Sequence, residues 1–273
     1  MKKIVALMLA LLLMIASAVM LSSCKSTEKL VVYTEAGFAP FEYVSNGKIV
    51  GVDVDIMNLV GKKLNKEVVF ENVEFKTIVS AVHDGKLTNV GAAGISITPQ
   101  RQKDVDFSKE YYTAALYVIY PKADAESYEI LTTDNVTGVY WSALAGATVA
   151  VQDGTTADLF LSDELDGSLK DTGTKKSGFS DLASAVADVG LNADVLIIDE
   201  LPAKKLIEKN SNLTCAPLYY EGGDSAADEP AVDTYAICVT KGQTELLNAI
   251  NEVLDELGKE GIQKLVNNHL GLN

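Results

Sequence analysis

The stretch Val68–Ile97, VVFENVEFKTIVSAVHDGKLTNVGAAGISI, decides the fold class. VVFENVEF is rich in β-branched and aromatic residues and reads as a strand. KTIVSAVHDGK then sets Ile78, Val79 and Val82 on one helical face, and Gly85 stops the helix. TNVGAAGISI, from Thr88, returns to a strand built of small residues. Strand, helix and strand in that order call for a largely parallel sheet with a helix laid on its face, an α/β layer.

The same grammar extends in both directions. Upstream, KLVVYTEAGFAPFEYV gives a strand from Leu30 to Tyr33 that runs into a loop holding Gly37 and Pro40. SNGK between short apolar runs predicts a hairpin, and DIMNLVGKKLN a helix with Ile56, Leu59, Val60 and Leu64 on one face. Downstream of about Tyr117, GATVAVQDGTTADLFLSDEL reads as strand, glycine-containing loop and helix. SDLASAVADVGL, ADVLIID and ELPAKKLIEKN follow as helix, strand and helix. YYEGGDSAADEPAVD is a surface loop on composition. The tail from Tyr235 holds one strand and two helices, too few to stand alone, so it is expected to pack back on the first block.

The first 24 residues, MKKIVALMLALLLMIASAVMLSSC, carry Lys2 and Lys3, an apolar run from Ile4 to Leu21, and small residues leading to Cys24. That is the order of an export signal. A spanning helix is the alternative, because the run is close to the roughly 18 residues that cross a bilayer. LSSC resembles the lipobox of bacterial lipoproteins, which implies a signal peptide over residues 1–23, a diacylglyceryl group on Cys24, a tether over 24–29, and a protein held outside the cytoplasm on the cell membrane.

Lysine and arginine number 23 against 38 acids, a formal charge of −15, which becomes −17 once Lys2 and Lys3 leave with the signal. Such acidity excludes nucleic acid as a partner and suits both solubility and cationic solutes. Cys215 and Cys238 sit in strand-like surroundings; export permits a disulfide, and two buried free thiols are the reading preferred to it. No cysteine or histidine spacing suggests a metal, and no motif calls for a cofactor. His83 and His269 fall on polar helix positions, neither placed as an evident base.

Taken in order, TEAGFAPFEY, GVDVDIMNLVGKKL, AAGISITPQRQKDVDFSKEYY, VAVQDGTT and ADVLIIDELPA make the chain from about Leu30 to its C-terminus resemble the extracellular solute-binding proteins of ABC importers, in their polar amino-acid family. The resemblance implies a type II periplasmic-binding-protein fold of two α/β lobes joined by two hinge strands, near 117–121 and 213–219. Lobe 1 is expected over 30–116 and 220–273, and lobe 2, with the hinge strands, over 117–219. It also implies closure of the lobes around the ligand.

Thr98 and Pro99 suit the cap and first turn of a helix, which puts Arg101 in that turn. A guanidinium can hold a carboxylate by two parallel bonds, and the resemblance gives Arg101 the ligand α-carboxylate. Gly154, Thr155 and Thr156 lie between strand and helix, where amides favour the same anion. Asp199 ends a strand and, by resemblance, accepts the ligand ammonium together with the Gly94 carbonyl, while Ser96 can bridge to ammonium or carboxylate. Phe38 and Phe75 look like the aromatics flanking the ligand side chain. Glu35 matches an acidic side-chain-sensing position, which favours arginine, lysine or ornithine ahead of glutamine or cystine.

The function so implied is that of a membrane-anchored, monomeric substrate-binding lipoprotein that delivers a polar L-amino acid to an ABC permease, without catalysis. The alternatives are a tethered amino-acid sensory receptor and, behind it, an enzyme on the same fold such as a dehydratase.

Overall fold

The computed structural model describes residues 28–222 and 226–272. The expected signal peptide and Cys24 therefore lie outside the described residues. The chain opens with β1 (Lys29–Thr34), β2 (Gly37–Phe38), β3 (Glu42–Ser45), β4 (Lys48–Val50), α1 (Val52–Leu64), β5 (Glu67–Asn72), α2 (Phe75–Asp84), β6 (Val90–Gly91), α3 (Arg101–Asp104) and β7 (Val105–Phe107). There follow β8 (Tyr112–Pro121), α4 (Ala125–Tyr128), β9 (Glu129–Leu131), β10 (Thr137–Tyr140), β11 (Thr148–Gln152), α5 (Thr156–Asp166), β12 (Lys175–Phe179), α6 (Leu182–Asp188), β13 (Val195–Asp199) and α7 (Glu200–Glu208). The last elements are β14 (Leu213–Tyr220), β15 (Glu229–Pro230), β16 (Val232–Tyr235), β17 (Cys238–Thr240) and α8 (Thr244–Leu270).

Two sheets organise these elements into two α/β lobes. The first runs β5-β1-β6-β17-β7, with β5, β1 and β6 parallel and β17 antiparallel to both β6 and β7. The second runs β12-β11-β13-β8-β14-β10-β9, with β15 added to β14 and β16 to β8. A small β2-β3-β4 sheet stands apart, its turn formed by Asn46 and Gly47, both at positive φ as a tight hairpin requires.

The quoted stretch folds as strand, helix and strand. Ile78 and Val82 of α2 are fully buried, and the helix ends at Gly85 in the left-handed conformation. The second strand is shorter than the sequence suggests, because after Gly91 the chain leaves the ladder and turns at Gly94, φ 52. In the second lobe the apolar run of β13 is buried throughout: Val195 and Ile197 join one core cluster while Leu196 and Ile198 join another. That is the pattern of a central strand covered on both faces. The tail packs α8 along α1, with Ile250, Val253 and Val266 buried. Gly258, non-helical at φ 58, divides α8 into the two helices that the sequence suggests.

The crossings between lobes differ from expectation. β8 follows the first-sheet strand β7, and β16 leads into the first-sheet strand β17. The two pair antiparallel, Tyr112–Ala115 against Val232–Tyr235. Residues 117–121 and 213–217 instead lie side by side inside the second sheet. The reason is that β8 is one unbroken ten-residue strand that changes partner midway, which alternation alone cannot reveal. The segment after Tyr220 is also not all loop: β15 pairs with β14, and Asp228, buried, accepts hydrogen bonds from the amides of Gly222 and Thr133 and from the Tyr140 hydroxyl. Cys215 and Cys238 are free thiols, one in each sheet.

Candidate functional site

The C-terminal ends of parallel strands converge between the lobes, where open α/β sheets place their ligand sites. Glu35 follows β1, Gln152 ends β11, and Asp199 ends β13. Phe38 comes from β2, Phe75 opens α2, and Thr156 opens α5. Together with Ala93, Gly94, Ser96 and Thr155 these residues line one cavity. Eight of the ten residues singled out from the sequence are thus brought together, all but Arg101 and Gly154. The enclosed void is only about 20 Å³, room for roughly one water, so an amino acid can reach these groups only if the lobes part.

Arg101 stands behind the lining. The residue is 7% exposed, and its guanidinium bridges the lobes, Nη1 donating to the Ser96 carbonyl at 2.7 Å and Nη2 to the Gly154 carbonyl at 2.8 Å. It also sits 5.6 Å from the Phe75 ring centroid, in cation–π range. Thr98 accepts the Arg101 amide through Oγ1, which fixes the turn as the sequence suggests. Two of the five guanidinium donors are engaged in these bonds.

The α5 N-terminus is partly occupied. The Gly154 amide donates to Asp158 and the Thr155 amide to the Gln152 carbonyl, while Thr155 Oγ1 caps Asp158. Thr156 is the first helical residue, whose amide has no intrahelical acceptor.

Asp199 is 8% exposed, and its Oδ1 has no hydrogen-bond partner. Burial, with the nearby charge of Asp233 adding to it, pushes its carboxyl up to about 7. Such a group calls for a cationic partner. Glu35 is also raised by burial, partly offset by hydrogen bonds from the Gln152 side chain and the Gly37 amide.

Three residues behind the lining escaped the sequence reading. Asp53 accepts the Gly94 amide at 2.9 Å and the Tyr111 hydroxyl at 2.5 Å, holding Gly94 at its positive φ; a Cβ there would meet Phe38 at 2.9 Å. Glu42, fully buried, has no hydrogen-bond donor at either oxygen and has the carboxyl of Asp53 beside it. Asp233 accepts hydrogen bonds from the hydroxyls of Ser96 and Thr156. Signals were present: Asp53 falls on the stripe of Ile56, Met57 and Val60, where an apolar residue is expected, and Asp233 alternates with the buried Ala231 and Tyr235.

The family described as bacterial extracellular solute-binding proteins, family 3, matches residues 30–271. The arginine-binding extracellular protein ArtP of Bacillus subtilis is 28% identical, over 93% of this chain and 95% of its own. A Campylobacter jejuni protein named "Probable histidine-binding protein" is 26% identical, over 88% of this chain and 84% of its own. The solved structure of the amino acid ABC transporter substrate-binding protein AbpA from Streptococcus pneumoniae, bound to L-arginine, superposes with a TM-score of 0.74 at 28% identity, covering 89% of this chain and 95% of that one.

Proposed function

The chain belongs to the bacterial extracellular solute-binding proteins, family 3, and from that membership we propose that it captures a polar L-amino acid between its lobes and delivers it unaltered to the permease of an ABC importer. The observation that carries this reading is the unpartnered Oδ1 of Asp199 at the wall of the interlobe cavity. A zwitterion entering such a cleft gives up hydration at both ends, so each charge needs a fixed partner. Asp199 and the Gly94 carbonyl serve the ammonium; the free donors of Arg101 and the Thr156 amide serve the carboxylate. Because these groups come from both lobes, the ligand favours the closed form over the open one. Micromolar affinity corresponds to about −8 kcal/mol.

Phe38 and Phe75 flank the side chain, and Glu35 with Gln152 forms the far end of the pocket. A carboxylate there favours arginine, lysine or ornithine, then glutamine or cystine. The hinge of this reading is the crossing pair Tyr112–Ala115 and Val232–Tyr235. We further propose a cleaved leader over residues 1–23, lipid on Cys24, and a monomer tethered outside the cytoplasm.

The test is a thermal-shift screen of the full-length chain in detergent against the amino acids, since a ligand that binds only the folded state raises the melting temperature. A shift with one or more polar amino acids supports the reading, and the bound solute recovered unchanged supports binding without catalysis. No shift with any of them overturns it.

A further inference from the structure

Asp233 lies on β16, the strand that returns from the second lobe to the first, and is 7% exposed. Its Oδ2 accepts the Ser96 hydroxyl at 2.5 Å and the Thr156 hydroxyl as well, while Oδ1 accepts the Thr234 amide at 2.8 Å. Ser96 comes from the first lobe and Thr156 from the second, and their hydroxyl oxygens lie 3.4 Å apart. The carboxylate thus gathers one hydroxyl from each side of the cleft.

A hydroxyl has one proton to donate and two lone pairs, whereas a carboxylate only accepts. With both protons directed at Asp233, Ser96 Oγ and Thr156 Oγ1 have only lone pairs left for the cavity that both residues line. Asp199, in the same lining, adds an unpartnered carboxylate oxygen. This end of the cleft therefore accepts hydrogen bonds and offers none from these side chains. Three acceptors suit an ammonium with three N–H donors, and a carboxylate finds no side-chain hydrogen among them, being left to the Thr156 amide and Arg101. The Arg101 guanidinium, close enough to feel Asp233, is joined to the Ser96 carbonyl.

We propose that Asp233 is a positioning residue that fixes the hydrogen-bond polarity of the cleft: by taking the hydroxyl protons of Ser96 and Thr156 it makes both oxygens acceptors for the ligand ammonium, and so sets which way round an amino acid binds. This rests on the amino-acid reading above. It decides between the two roles open to Ser96, in favour of the ammonium.

The test is calorimetric titration of the full-length chain in detergent with three probes: L-arginine, its deaminated analogue 5-guanidinopentanoate, and its decarboxylated analogue agmatine. The wild type is expected to bind arginine about a hundredfold more tightly than the deaminated analogue. Asp233→Asn places an amide donor among the hydroxyls and should shrink that ratio at least tenfold, leaving the arginine-to-agmatine ratio within about threefold of wild type. Ser96→Ala and Thr156→Val remove one acceptor each and should shrink the first ratio in part, which keeps the test open should Asp233→Asn fold poorly. Equal weakening of all three probes by Asp233→Asn would show a role in lobe closure alone and overturn the proposal, as would an unchanged ratio. Failure of the wild type to bind any of the twenty amino acids removes the amino-acid reading and this proposal with it; binding with an unchanged ratio removes this proposal only.

Discussion

Arg101 reaches from the first lobe to the carbonyl of Gly154 in the second, Nη2 to oxygen 2.8 Å, while Nη1 holds the carbonyl of Ser96 in its own lobe. One planar group thereby measures the distance between the lobes. Arg101→Lys keeps the charge but loses the fork, so it can satisfy one carbonyl or a ligand carboxylate but not both in parallel. Amino-acid affinity is expected to fall about tenfold to a hundredfold by calorimetric titration. Unchanged affinity would remove Arg101 from the site.

Stability and ligand affinity should respond to pH in opposite directions. Burial raises Asp199 to about 7 and Asp53 to about 6, and raises Glu35 and Glu42 as well. Each has a folded value above its unfolded one, so its contribution to stability is full below about pH 4 and is lost as pH rises through the folded value. The ligand-free protein should melt at a higher temperature at about pH 5 than at about pH 8. An ammonium, in contrast, needs Asp199 ionised, so affinity should rise over the same interval. Thermal scans and titrations at both pH values check this, and parallel trends would contradict it.

The succession of strands and helices in each lobe was largely legible in sequence because it follows from apolar periodicity, as in α2 and β13. Part of the cleft wall was legible because it falls at a strand end, as Asp199 does, whereas Gln152 at the end of β11 was not singled out. What sequence could not give depends on partners distant along the chain. β8 changes partner at about Leu116 without any change in its own pattern. Asp233 sits among glycine, proline and acidic residues that read as loop until β8 is seen beside it. Arg101 was placed correctly on its turn, but its two carbonyl partners depend on how the lobes close.

Glu42 gives a test of the buried acids. Both its oxygens lack donors, and burial beside Asp53 pushes its carboxyl well above the usual range, in the direction of the protonated form. Glu42→Gln is close in shape and neutral, and its amide can donate where the carboxylic acid does. Stability at neutral pH should stay within about 1 kcal/mol of wild type in denaturant unfolding, with a shallower pH dependence of the melting temperature. A loss of several kcal/mol with an unaltered pH dependence would mean that Glu42 is ionised in the native state.

The proposed membrane attachment is tested at Cys24. Two or more acyl chains, at about 0.8 kcal/mol per buried methylene, anchor a protein stably where a single chain does not. Cys24→Ser should abolish incorporation of labelled palmitate and move the protein from the membrane fraction to the soluble one. Retention in the membrane without label would point to an uncleaved helix over Ile4–Leu21.

In the proposed reading, selectivity rests on Glu35. It is half-buried in the cavity lining, which holds no lysine or arginine. A guanidinium brings a full positive charge and up to five donors to the Glu35 carboxylate, whereas a glutamine amide brings two donors and no charge. Glu35→Gln removes the charge and keeps the shape, and its carbonyl still accepts a hydrogen bond from an amide. Affinity for L-arginine should drop at least tenfold, about 1.4 kcal/mol, while affinity for L-glutamine changes by less than about threefold. Paired titrations of wild type and variant with both amino acids measure the two ratios. Equal losses for the two ligands would mean that Glu35 supports the cavity wall without reading the charge of the side chain, and the preference for a cationic amino acid would then have no residue behind it.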